Sequence, residues 1–186
     1  MAQGIILAGG FSSRTKNNKM LLPINNKPLI IHTIEAMKPF VNKIFVVTGH
    51  FDSDIRQIVK EDDKIQILYN KDYPLGMFSS VKTGVSHVEE DFFIIPGDIP
   101  FVSAGTYDAL LKGTKLVRYP SYEGKDGHPL FISVKLKEQL LKEPVNGCLK
   151  DFRDRQDKEV IPVEDKYVLK DVDTLNEYQE LKAERK

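Results

Sequence analysis

The 186-residue chain has one cysteine, no tryptophan, no net charge and no long apolar run. Each absence excludes something. A lone Cys148 rules out an internal disulfide and suits a reducing compartment; it reads as a small buried side chain. Lysine and arginine together number 27, as do aspartate and glutamate, so no global field draws the chain to nucleic acid or to an anionic membrane. Any anion it binds must be held by a local cluster. No apolar stretch approaches the length needed to span a bilayer, and the N-terminus lacks a basic segment, apolar core and small-residue cleavage site. His32, His50 and His87 show no zinc-ligand spacing with the cysteine or with one another. There are no repeats, low-complexity tracts or linkers. The expectation is one cytoplasmic domain, 1–186, binding neither nucleic acid nor membrane.

What is present is an alternation of short apolar runs and helical patterns. Residues 4–8, 43–48, 65–69 and 91–95 read as buried strands, and 28–37, 52–60 and 77–88 as helices, with a further helix capped by Ser103. Pro28 suits a first helical turn, and the acidic start of 52–60 suits the helix dipole. This rhythm predicts an α/β fold: a Rossmann-like, doubly wound, mostly parallel sheet flanked by helices. Beyond about residue 115 it loosens. Strands are expected at 115–119, 130–133, 159–163 and 167–172, helices at 134–142 and 174–186, and a loop at 122–128.

In open α/β sheets ligands sit beyond the carboxyl ends of the strands, and the first strand-to-helix loop is the usual phosphate contact. Here that loop begins Leu7-Ala8-Gly9-Gly10-Phe11-Ser12-Ser13-Arg14 and reaches Lys19. Gly9 and Gly10 let backbone amides approach an anion closely. Ser12 and Ser13 add hydroxyl donors, while Arg14 and Lys19 add fixed positive charge. Neither the P-loop pattern nor the dinucleotide G-x-G-x-x-G fingerprint occurs. The most apolar strand ends in Pro96-Gly97-Asp98-Ile99-Pro100, which places one carboxylate at the ligand edge of the sheet. Magnesium needs few protein oxygens, because phosphate and water supply the rest. The alternative is that Asp98 only starts a turn.

Leu7-Ala8-Gly9-Gly10-x-Ser12-Ser13-Arg14-x4-Lys19 resembles the signature L-A-[AG]-G-x-S-x-R-M-G-x-x-K of the molybdenum-cofactor nucleotidyltransferases, and Gly97-Asp98-Ile99-Pro100 is similar to their magnesium motif. The resemblance implies a fold of the nucleotide-diphospho-sugar transferase type. It also implies triphosphate binding by Leu7, Ala8, Gly9, Gly10, Ser12 and Ser13, with Arg14, Lys19 and Asp98 as catalytic residues. The family's Met-Gly pair is Thr15-Lys16 here, so a lysine stands where the family has glycine. Asp171-Val172-Asp173-Thr174-Leu175 looks like the family segment whose acid completes the metal site. Asp173, before the helix cap Thr174, is the first choice, and Asp171 is the alternative.

Asn70-x-x-Tyr73-x-x-Gly76-Met77-x-x-Ser80-Val81-x-x-Gly84 resembles a segment of the cytidylyltransferase branch. It implies nucleotide contacts from Asn70 and Gly76, with Met77 read as a core filler. Gly127-His128-Pro129 resembles the same branch's Gly-His-Pro, so His128 and Pro100 are expected on the acceptor side. Residues 146–153 match a glycine-rich run near an arginine only loosely. The implied reaction is transfer of CMP from CTP to the terminal phosphate of a molybdopterin-type acceptor, with Mg2+ as cofactor. GTP-dependent guanylyl transfer in the same pathway is the alternative; from another class, so is a non-catalytic nucleotide-binding maturation factor with a molybdoenzyme partner.

Overall fold

The structure, a computed structural model, describes residues 1–10 and 18–184. Its first half runs β1 (Ala2–Ala8), a short hairpin of β2 (Pro23–Ile24) and β3 (Lys27–Pro28), α1 (Leu29–Met37), β4 (Val41–Thr48), α2 (Asp52–Ile58), β5 (Ile65–Tyr69), α3 (Met77–His87) and β6 (Phe92–Pro96). The second half runs α4 (Ala104–Lys112), β7 (Val117–Tyr122), β8 (Lys125–Asp126), β9 (Leu130–Ile132), α5 (Lys137–Lys142), α6 (Leu149–Asp154), β10 (Lys158–Pro162) and α7 (Leu175–Glu184). The main sheet has the order β10-β7-β9-β6-β1-β4-β5. β5, β4, β1 and β6 are parallel, β9 is antiparallel to both its neighbours, and β10 is parallel to β7. The mostly parallel α/β sheet expected from the sequence is therefore what forms.

Strand alternation sorts the apolar residues into two layers. Ile6, Val46, Phe93 and Ile95 share one cluster with Ile30 and Ile34 of α1, Ile55 of α2 and Tyr107 of α4. Ile5, Val47, Phe92 and Ile94, one position out of phase, share the other with Val81 and Val85 of α3, Leu140 of α5 and Phe152 of α6. Helices thus cover both faces, and each fully buried side chain of this size contributes about 1.5–3 kcal/mol. A third cluster joins Ile24 and Leu29 to Val172, Tyr178 and Leu181, which fastens α7 beside the β2–β3 hairpin. No helix among the described residues is long and apolar enough to cross a membrane.

Four expectations need correction. Residues 167–172 are not a strand: Lys166–Leu169 form a 3-10 helix, because the Asp165 carboxylate accepts from the Tyr167 amide and the Asp165 carbonyl from that of Val168. The loop expected at 122–128 contains a hairpin, with Glu123 and Gly124 both at positive φ so that Tyr122 pairs with Lys125. Met77 is not a core filler but 67% exposed. Cys148 is also exposed, at the start of α6.

Candidate active site

At the carboxyl end of β1, Gly9 lies so close to α3 that a Cβ would come within 2.7 Å of the Ser80 hydroxyl, whereas a Cβ on Gly10 would meet none of the described residues within 4 Å. Leu7 lines the adjoining cleft, and Ala8 is buried. Ser12, Ser13 and Arg14 lie outside the described residues. The chain re-emerges at Asn18, whose side chain accepts from the Met20 amide and starts a 3-10 turn, Lys19–Leu21. Met20 is buried, so the turn is anchored and the Lys19 side chain projects from a fixed base.

The Gly97-Asp98 turn is held from two sides. The Gly97 amide donates to the Leu7 carbonyl at 2.9 Å, and the buried Thr33 hydroxyl of α1 donates to the Gly97 carbonyl at 2.8 Å. This fixes Asp98 beyond the end of β6. Asp98 Oδ2 pairs with Lys19 Nζ, while Asp98 Oδ1 is buried with no hydrogen-bond partner among the described residues. Asp173 reaches the same ammonium from the far end of the chain, Oδ1 to Nζ 2.7 Å. Its segment is positioned by buried Val172 and by a reciprocal cap on α7. The Glu177 carboxylate accepts from the Asp173 and Thr174 amides at 2.9 and 2.7 Å, and the Thr174 hydroxyl accepts from the Glu177 amide.

Burial alone would lower the Lys19 ammonium, but the carboxylates of Asp98 and Asp173 outweigh it and hold the group above the ordinary lysine value. Asp171 is pushed up, first by burial and then by the charges of Asp173 and Asp98. Two carboxylates, Asp98 and Asp173, therefore face the Lys19 ammonium, and Asp171 lines the same cleft.

Lys19, Asp98, Asp171 and Asp173 line a cleft of about 830 Å3. The same cleft is lined by His128 and Arg153, by Gly76, and by the exposed apolar side chains of Leu75, Met77 and Val145. Gly76 has φ 106° and precedes α3 with no side-chain cap, so a glycine is needed where the chain turns into the helix. His128 follows Gly127, which is pinned by its amide to the Pro120 carbonyl, while the His128 amide donates to Val168. Its Nδ1 is buried with no hydrogen-bond partner among the described residues, and burial, aided by the Arg153 charge, pushes the imidazole down to about 4.

Arg153, to which sequence reasoning assigned no role, is 8% exposed. It pairs with Asp126 at 2.9 Å and lies 4.1 Å over the Tyr119 ring. Its only sequence signal was the loose glycine-rich match at 146–153. Pro100 is buried behind the Asp98 turn and is not among the residues lining the cleft.

Asn70 is taken up inside the fold. Its amide donates to the hydroxyls of Ser79 and Ser80 at 2.8 and 3.0 Å, and its carbonyl accepts from the Asp72 amide at 3.0 Å. Asn70 ties the end of β5 to the start of α3. Asn70→Ala is expected to cost about 2–3 kcal/mol, because the buried hydroxyls lose their donor; an unchanged urea midpoint would contradict this.

A second expectation concerns acid. His128 is neutral when buried, so the unfolded chain takes up its proton first as pH falls. Stability is full above about 6.5 and declines as pH drops toward about 4. The loss reaches about 3 kcal/mol, and His128→Phe should flatten that part of the curve in denaturation at pH 7 and pH 4.5. A variant that tracks the parent at both pH values would refute the assignment.

A family model described as MobA-like NTP transferase domain matches residues 4–165. The chain belongs to that family. It is a nucleotidyltransferase whose matched region includes Lys19 and Asp98, whereas Asp171 and Asp173 lie just beyond the match. Among similar proteins, the molybdenum cofactor cytidylyltransferase of Escherichia coli (strain K12) is 27% identical over 177 residues, covering 94% of this chain and 92% of that protein. A probable molybdenum cofactor guanylyltransferase of Thermococcus sibiricus is 33% identical over 113 residues, 59% of this chain and 54% of its own. Among solved structures, Rv0371C from Mycobacterium tuberculosis H37Rv, in complex with manganese, superposes with a TM-score of 0.79 at 20% identity, covering 98% of both chains. That likeness bears on the fold of this nucleotidyltransferase.

Proposed function

We propose that this nucleotidyltransferase moves CMP from CTP onto the terminal phosphate of a molybdopterin-type acceptor, releasing pyrophosphate. The observation that carries the chemistry is the convergence of Lys19, Asp98 and Asp173 in a cleft that His128 and Arg153 also line. The acceptor phosphate oxygen forms a bond to the α-phosphorus, the bond from that phosphorus to the α,β-bridging oxygen breaks, and pyrophosphate leaves with that oxygen. The acceptor is already an anion, so positioning and charge neutralisation supply most of the rate. Gly9 and Gly10 bring backbone amides to the phosphates, with Leu7 and Ala8 forming the strand end behind them. Ser12, Ser13 and Arg14 belong to the same loop in sequence. Lys19 offsets triphosphate charge.

The buried Asp98 Oδ1, which has no hydrogen-bond partner among the described residues, suits a divalent cation, and Asp98 with Asp173 would hold it. When bound, Mg2+ would offset the charge that builds on the phosphate oxygens. His128 stays neutral on the acceptor side, and Gly76, before the start of α3, would contact the nucleotide.

Cytidylyl transfer is supported by the relative matched over almost its whole length. Guanylyl transfer is the second reading, supported by the 33% identical relative. Pyrophosphate release measured with CTP, GTP, ATP and UTP, each with molybdopterin and with a sugar 1-phosphate, tests the proposal. CTP with molybdopterin should exceed every other pair by at least about tenfold, which corresponds to about 1.4 kcal/mol of discrimination. Release with a sugar 1-phosphate alone would overturn it.

A further inference from the structure

The two acids that would hold the metal already hold a cation that belongs to the protein. Lys19 Nζ sits between Asp98 Oδ2 and Asp173 Oδ1, and its side chain is only 15% exposed. Asp98 comes from the β6 end and Asp173 from the segment before α7, so without a positive charge between them two carboxylates from distant parts of the chain would repel. A divalent ion bridging the same two carboxylates could not share the space with an ammonium in contact with both. The lysine backbone is anchored by the Asn18 cap and buried Met20, so only the side chain is free to leave.

We propose that Lys19 is a resident counter-ion that competes with the divalent metal for Asp98 and Asp173 and gives up the acids only when a triphosphate offers it other anionic partners. The inference rests on the metal reading above and adds an order to it. Metal and triphosphate bind as linked events, each raising the affinity for the other, as any binding coupling requires. The free protein then binds metal weakly although three carboxylates line the site. Lys19 thereby has two stations, the acids before substrate binds and the phosphates after.

The test uses the full chain and Mn2+ alone, with free Mn2+ read by electron paramagnetic resonance and no nucleotide present. Lys19→Met and Lys19→Gln should each bind Mn2+ about tenfold more tightly than the parent. Lys150→Met removes an equal charge from an exposed position on the cleft wall and should change affinity less than twofold. Circular dichroism and thermal melts establish that each variant is folded, and the two Lys19 substitutions guard against the failure of one. If both bind Mn2+ no more tightly than the parent, or if Lys150→Met gains as much, the competition is overturned. Adding Asp98→Asn to Lys19→Met separates this from the metal reading. Loss of the tight binding in the double variant supports both, whereas tight binding that survives, or no Mn2+ binding by any variant, overturns the metal assignment itself.

Discussion

Asp98→Asn is expected to lower kcat/KM by about a thousandfold, close to 4 kcal/mol of transition-state stabilisation, while the fold survives. The substitution keeps the size of the side chain and removes its charge. The turn around it is held by the Gly97 backbone, through Leu7 and Thr33, and not by the carboxylate, so the backbone has no reason to move. Lys19 keeps a partner in Asp173, which prevents the penalty of an isolated buried ammonium. What is lost is the charge of an acid whose Oδ1 has no hydrogen-bond partner among the described residues, the oxygen proposed to take the cation. Steady-state pyrophosphate release together with a thermal melt reads both quantities. Activity within threefold of the parent would remove Asp98 from the chemistry.

The second large effect is indirect. Gly127→Ala puts a Cβ 2.7 Å from Val168 Cγ2 and 2.8 Å from the Val168 carbonyl oxygen. The side chain could turn, but the carbonyl is backbone, already accepts from the His128 amide, and belongs to a fully buried residue. The 3-10 helix Lys166–Leu169 must therefore shift, and Asp171 and Asp173 follow it in the chain. Overpacking of this kind costs about 1–3 kcal/mol. A displacement of Asp173 by a fraction of an ångström is enough to lower kcat/KM by at least about tenfold. Gly105→Ala is the control, because its Cβ meets nothing closer than 3.9 Å and sits in α4, where alanine is the better helix former. Urea denaturation and kcat/KM should separate the two variants. Equal behaviour would mean that the Gly127–Val168 contact does not position the acids.

The parts of the molecule legible in the sequence are those where one physical rule acts alone. The β1, β4, β5 and β6 runs are apolar on both sides because helices cover both faces, which leaves little room for another reading. Asp98 was legible for the same reason: an acid directly after the most apolar strand has to emerge at the end of the sheet. Asp173 was singled out by the resemblance of its segment to the family's acidic one and by its place before the helix cap Thr174, whereas the part of Glu177 in that cap emerged only from the structure. Where tertiary contacts choose between local options, the pattern misled. Tyr167, Val168 and Leu169 suit a strand, yet the Asp165 carboxylate curls them into a helical turn. Met77 carries an apolar side chain at a helix start, but that end of α3 opens onto the cleft and not into the core. Asn70 looks like a ligand in its motif, whereas its amide is spent on Ser79 and Ser80, which only the meeting of β5 and α3 reveals. Arg153 was hidden because a buried arginine is identified by its partners, and Asp126 is distant in sequence.

The measurement that bears most directly on the central claim is the mass of the product. The parent protein incubated with CTP, Mg2+ and molybdopterin should yield the acceptor heavier by one CMP residue, with pyrophosphate in equal amount, and Asp98→Asn should yield neither. An acceptor unchanged in mass while CTP is consumed, or CTP left intact under these conditions with GTP, ATP and UTP equally inert, would contradict the account.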